Sequence, residues 1–152
     1  MYRKIIVPLD GSEMAECVLP HVATIAKGCG VKEVIFVRAV DPFHLQVGEA
    51  HLDNELRKEI DNKAISNARN YLRRVVGRAG LGGVKVRTKV LYGKTADSLA
   101  DYATSSGADL IIIATHGRSG VSRWVWGSIA DRILHSACVP ILVVRAPGCI
   151  PR

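Results

Sequence analysis

Two short stretches of this chain hold residues that could carry chemistry. Asp10-Gly11-Ser12 follows the apolar run Lys4 to Leu9 and sets a carboxylate, a glycine and a hydroxyl side by side. Far downstream, Leu110-Ile111-Ile112-Ile113 is a second apolar run, followed after Ala114 by Gly117, Gly120 and Gly127. Ser128 comes next, with Asp131 three residues on and apolar Ile129, Ile133 and Leu134 around it. That is the pattern of a helix start, with Ser128 as cap and Asp131 as a shortened capping-box acid. A helix N-terminus has unpaired N–H groups and a partial positive charge, and glycines let a ligand approach the backbone closely. A strand, a glycine-bearing loop and a helix start in succession therefore suit a phosphate. No G-x4-GK-[ST] run is present, so the chain is not a P-loop protein.

These stretches need a scaffold, and hydrophobic periodicity supplies one. Lys4 to Leu9, Glu33 to Val40, Leu110 to Ile113 and Ile141 to Val144 are short β-branched runs, read as strands, with Leu110 to Ile113 buried on both faces and Ile141 to Val144 an apolar edge. Val84 to Tyr92 alternates apolar with polar residues, which predicts an edge strand with one wet face. Between them lie helical patterns. Met14, Val18, Val22 and Ile25 mark the first, which Pro20 should kink or split. Leu56, Ile60, Ala64, Ala68, Leu72, Val75 and Ala79 form the stripe of a long amphipathic helix. Thr95 is read as the cap of a short helix carrying Leu99 and Ala103 inward. The segment from Asp41 to about His51 reads as a loop.

The resulting order, βαβαβαβαβ, predicts an α/β fold: a five-stranded parallel sheet with helices on both faces. With the first strand central, the expected strand order is 3-2-1-4-5. Ligands in such sheets sit beyond the carboxyl ends of the strands, where the order reverses. That switch falls between the first and fourth strands, and the residues just past them are Asp10-Gly11-Ser12 and Ala114 to Gly117. Two separate lines of reasoning thus lead to one crevice.

Composition narrows the remaining classes. At 152 residues and 48% hydrophobic, the chain can build one full core, and no linker or low-complexity tract divides it. We expect a single domain over 1–146 and a loose tail over 147–152. No apolar run is long enough to span a bilayer, and the basic N-terminus lacks a signal-like core, so a cytoplasmic protein is expected. Cys17, Cys29, Cys138 and Cys149 show no metal spacing and are read as free and mostly buried, and no metal site is assigned. A net charge of +7 fits an anionic ligand, yet aromatic residues at 5% and the lack of any nucleic-acid motif argue against nucleic acid.

Pro8, Asp10, Gly11 and Ser12 resemble the VPxDGS opening of the universal stress protein family. Ala114-Thr115-His116-Gly117, nine residues, then Gly127-Ser128 resembles that family's nucleotide motif G-x2-G-x9-G-S/T, with Ala114 in place of the first glycine. Pro140 to Val144 matches its closing strand, so the resemblance spans essentially the whole chain. It implies a Rossmann-like fold of the adenine nucleotide alpha-hydrolase kind. It also implies a site for ATP or another adenine nucleotide, with Mg²⁺ accompanying the nucleotide. Pro8 and Asp10 would stand at the adenosine, Asp10 at a ribose hydroxyl. The backbone of Ala39, past the second strand, would meet the adenine edge, and Ile113 and Ala114 would line base and ribose. Gly117, Gly127, Ser128 and Ile129 would face the phosphates, with His116 and Arg118 beside them.

No nucleophile with its base and no paired carboxylates appear, so no catalytic residue is assigned, although slow ATP hydrolysis stays open. The expected role is a stress-response or signalling module that binds nucleotide and shifts its shape or its unknown protein partner. The resemblance also implies a homodimer, in which the apolar strand Ile141 to Val144 pairs with its counterpart. A nucleotide-free dimerisation scaffold is the alternative, and Ala114 is the residue that favours it.

Overall fold

The computed structural model describes residues 2–43, 53–114 and 128–145. Along the chain run β1 (Lys4–Pro8), a 3-10 turn (Ala15–Val18), α1 (Leu19–Cys29), β2 (Glu33–Val40) and α2 (Asn54–Arg78). Then come β3 (Lys85–Tyr92), α3 (Thr95–Ser105), β4 (Leu110–Ala114), α4 (Ser128–Ser136) and β5 (Ile141–Val144). The five strands form one sheet in the order β3-β2-β1-β4-β5, every pair parallel, as the alternation of strands and helices predicts. Pro20 splits the first helical pattern as expected: the 3-10 turn ends at Val18, and Pro20 sits in the first turn of α1, where its missing N–H costs nothing.

The strands sort their side chains by parity, and each face gains its own core. Ile5, Val7, Val34, Phe36, Leu110 and Ile112 meet Val18 and Val22 from the first helical segment and Leu72 and Val75 from α2. Ile6, Ile35, Val37, Ile111 and Ile113 meet Leu99 and Ala103 of α3 and Ala130 and Ile133 of α4. β1 and β4 are buried on both faces, hence their unbroken apolar runs.

Three local expectations are corrected. The buried stripe of α2 begins at Ala68 and includes Tyr71, whereas Leu56 is 43% exposed. A 25-residue helix is about 37 Å long and an eight-residue strand about 26 Å, so the stripe outruns the sheet it packs on. Thr95 is not a cap. It is the first residue of α3, and its N–H donates to the Asp41 carboxylate at 2.8 Å, a cap supplied from the end of β2. Among the cysteines, Cys17 and Cys29 are only half-buried and Cys138 is exposed, on the short link between α4 and β5.

The base of the sheet is tied by one carboxylate. Asp109 accepts from the N–H groups of Arg3 and Lys4, both at 2.7 Å, and these bonds hold its carboxyl below the usual carboxylate range. A carboxyl depressed in the fold contributes stability above its unfolded value near 4, and that contribution is lost as pH falls through the lower folded value. Between pH 6 and pH 3 the wild-type melting temperature should therefore fall further than that of Asp109→Asn, as circular dichroism would show.

Candidate functional site

At the carboxyl ends of the strands the β1–β4 ladder ends early, and Pro8 explains why. The β1–β2 ladder continues to Pro8↔Val37, and the Leu9 N–H still donates to the Val37 carbonyl at 2.9 Å. The β1–β4 register stops much earlier, at Ile5↔Leu110 and Ile6↔Ile111. Backbone groups alternate sides along a strand, so Leu9 facing β2 means that position 8 faces β4. Proline has no N–H to offer there. The β1–β4 ladder therefore ends at the point where strand order reverses, the place where sheets of this topology carry their ligand crevice.

The residues past β1 fold into a self-bonded turn at the mouth of this crevice. Asp10 Oδ1 accepts from the Ser12 N–H at 2.9 Å and from the Ser12 hydroxyl at 2.6 Å. Ser12 Oγ accepts in turn from the Ala15 N–H at 3.1 Å, where the 3-10 turn begins. This is the Asx-turn habit of aspartate, and it fixes the carboxylate at the rim. Gly11 supplies the conformation the turn needs, with φ at +90°.

Ala39 lies inside β2, not past it, which corrects the expected placement. Its backbone still faces the β1 side of β2. Val37 presents its carbonyl to β1, so Ala39, two residues further along the same edge, presents its own N–H and C=O beyond the last β1 bond. Ile113 and Ala114 close β4 and pair with Val143 and Val144. Both are buried, Ile113 on the α3–α4 face and Ala114 on the opposite face. Ala114 has no positive φ and sits in regular strand, so a glycine is not required there. Ala114→Gly should leave nucleotide affinity within about threefold by calorimetry while lowering stability by about 0.5–1 kcal/mol. α4 begins at Ser128, with Ile129 in its first turn. The expected His116, Gly117, Arg118 and Gly127 lie outside the described residues, as do Trp124 and Trp126.

The structure adds residues that the sequence reading missed. Arg38, a cation in the otherwise apolar run of β2, lays its guanidinium 5.1 Å from the centre of the Tyr71 ring. The same guanidinium lies against Gly11, where a Cβ would come within 2.8 Å of it. Burial, the nearby Glu16 carboxylate and Asp10 all push the Tyr71 hydroxyl well above its usual range, so it stays protonated at any physiological pH. Glu16 is held by Arg78 at 2.9 Å. The signal was Arg38 itself: a charged residue in a central strand needs a partner. Among the described residues no group of three His, Cys, Asp or Glu side chains could hold a metal ion, and no helix is long and apolar enough to cross a membrane.

A family model described as the universal stress protein family matches residues 1–145. Universal stress protein MJ0531 of Methanocaldococcus jannaschii is 35% identical over 150 residues, which cover 97% of this chain and 84% of that protein. Among solved structures, the protein MJ0577, also from Methanocaldococcus jannaschii, superposes with a TM-score of 0.84 at 28% identity, covering 97% of this chain and 99% of that one. A universal stress protein solved in complex with cAMP superposes with a TM-score of 0.69 at 20% identity, over 95% of this chain and 98% of that one.

Proposed function

The chain belongs to the universal stress protein family, and from that premise we propose that it is a stress-response module binding an adenine nucleotide, ATP with Mg²⁺, in the crevice between β1 and β4. The observation that carries this reading is the early end of the β1–β4 ladder beside a β1–β2 ladder that continues. It falls where the Asp10 turn, the Ala39 edge and the end of β4 come to the same end of the sheet. Pro8 makes the opening. Asp10 offers its carboxylate to a ribose hydroxyl, and the Ala39 N–H and C=O can read the edge of the base. Ile113 and Ala114 bound the base and ribose from β4. The resemblance assigns Gly117, Gly127, Ser128 and Ile129, with His116 and Arg118, to the phosphates, and the amides at the N-terminus of α4 suit that task without a Walker lysine. That a family relative of similar fold has been solved with cAMP supports an adenine nucleotide as the ligand class.

The nucleotide acts as a ligand that shifts shape or partner choice, with slow ATP hydrolysis left open. We place the protein in the cytoplasm, as one domain over 1–146 with a short tail. β5 is an edge strand with Leu142 at 36% exposure, and pairing with a second copy would cover it. Light scattering at micromolar concentration should give the mass of a dimer for the wild type and of a monomer for Leu142→Lys.

The nucleotide reading is tested by chromatography of the nucleotide released from gently purified protein, followed by calorimetry with ATP, AMP and cyclic AMP. Saturable binding of ATP with one site per chain supports it. No bound nucleotide and no heat with any of the three overturns it and leaves the dimeric scaffold.

A further inference from the structure

The positive charge of this protein is concentrated on one edge. From Asn62 to Lys94 the chain carries nine Lys or Arg and no Asp or Glu, while the rest carries twelve cations and fourteen acids. The net charge of +7 thus arises entirely from the carboxyl-terminal part of α2, β3 and the turn between them. Three of the nine are committed: Arg78 to Glu16, and Lys85 and Arg87 to Glu33. Arg69, Arg73 and Lys89 have no carboxylate partner among the described residues, and with Thr88 and Val90 they line a cleft of about 280 Å³. Clustering cations without counter-charges costs self-repulsion, which an anionic partner would relieve.

The backbone at this edge specifies what kind of anion. β3 ends the sheet, and among the described residues nothing pairs with its outer side. The Lys85 N–H donates to the Lys32 carbonyl and the Gly93 N–H to the Val40 carbonyl, with an unbroken register between them. Odd-numbered residues therefore face β2, and Val86, Thr88 and Val90 point their N–H and C=O outward. Side chains flank this open ladder on both faces. Val86 and Val90 belong to the α2 side, where Arg69 and Arg73 stand, and Lys89 belongs to the other.

We infer that the α2–β3 edge is a docking site for an extended acidic segment of a partner protein, which adds to β3 as a sixth strand. Such a strand completes the open ladder, and its alternating side chains send carboxylates to Arg69 and Arg73 on one face and to Lys89 on the other. A nucleic acid could answer the charge but could not pair with the ladder. A second copy of this chain could do the reverse, since two basic edges repel. The site lies apart from the β1–β4 crevice and does not depend on the nucleotide reading.

The test is fluorescence anisotropy on the full chain with a labelled extended peptide whose Glu residues occupy both odd and even positions among Val, so that both faces carry carboxylates. The same peptide N-methylated at alternate residues and a single-stranded oligothymidylate serve as comparisons. Binding of the unmodified peptide should weaken with added salt, and should weaken about tenfold or more in the triple variant Arg69→Glu, Arg73→Glu, Lys89→Glu. Thr88→Pro removes one outward N–H at a position where an edge strand tolerates proline, and it should weaken the same peptide. If that variant fails to fold, the N-methylated peptide breaks the same ladder from the ligand's side and should not bind. No binding by the wild type, equal binding by the triple variant or by the N-methylated peptide, or tighter binding of the oligonucleotide through the same residues would each overturn the inference.

Discussion

Asp10→Ala should lower the affinity for ATP by about ten- to a hundredfold. A hydrogen bond to a charged acceptor contributes about 1.5–3 kcal/mol, and about 1.4 kcal/mol is a factor of ten in affinity. The substitution also removes the acceptor that Ser12 uses twice, so the turn at the rim loses its internal bonds. The two effects can be separated. Asp10→Asn keeps a carbonyl oxygen for the turn while removing the charge, so it should restore most of the stability lost in the alanine variant and only part of the affinity. Calorimetry with ATP and thermal melts on all three proteins would read this. Unchanged ATP affinity in Asp10→Ala would remove Asp10 from the site.

Phe36→Ala should cost about 3–5 kcal/mol of stability, the range for emptying a buried aromatic position. Phe36 is fully buried at the centre of β2, in register with Val7 on one side and Thr88 on the other. It is the largest fully buried side chain of the core that α1 and α2 cover. With a whole domain stable by only about 5–15 kcal/mol, this single change removes a large fraction of the total. Urea unfolding would show a much lower midpoint at a similar slope. A loss below about 1 kcal/mol would mean that α2 collapses into the space, and that the two-faced core is less tightly packed than its burial indicates.

How far the sequence revealed this depends on the distance over which each feature is set. Strands such as Leu110–Ala114 were legible because burial on both faces forces an unbroken apolar run. The edge position of β3 was legible because one wet face forces alternation. The effect of Pro8 on the β1–β4 ladder follows from a single missing donor once the partner strand is known. Features that join residues distant in sequence were not. Asp41 caps α3 across 54 positions, and nothing local to Thr95 reports that. Arg38 meets Gly11 and Tyr71 only once β2, the turn and α2 are packed together. The helical stripe was read correctly in period but too far toward the N-terminus, because periodicity does not reveal where the sheet beneath a helix ends. Ala114 shows the converse. A motif position that suggests glycine is satisfied by alanine, because the backbone there is ordinary strand.

The sharpest test is to follow the backbone amide resonances of isotopically labelled protein as ATP and Mg²⁺ are added. A nucleotide between β1 and β4 should shift the amides of Gly11, Ser12, Ala39 and Ala114 together, with one saturation curve, and leave Val86, Thr88 and Val90 on the far edge unmoved. Saturable shifts confined to the β3 edge, or none at all at millimolar ATP, would contradict a nucleotide site in the crevice that Pro8 opens.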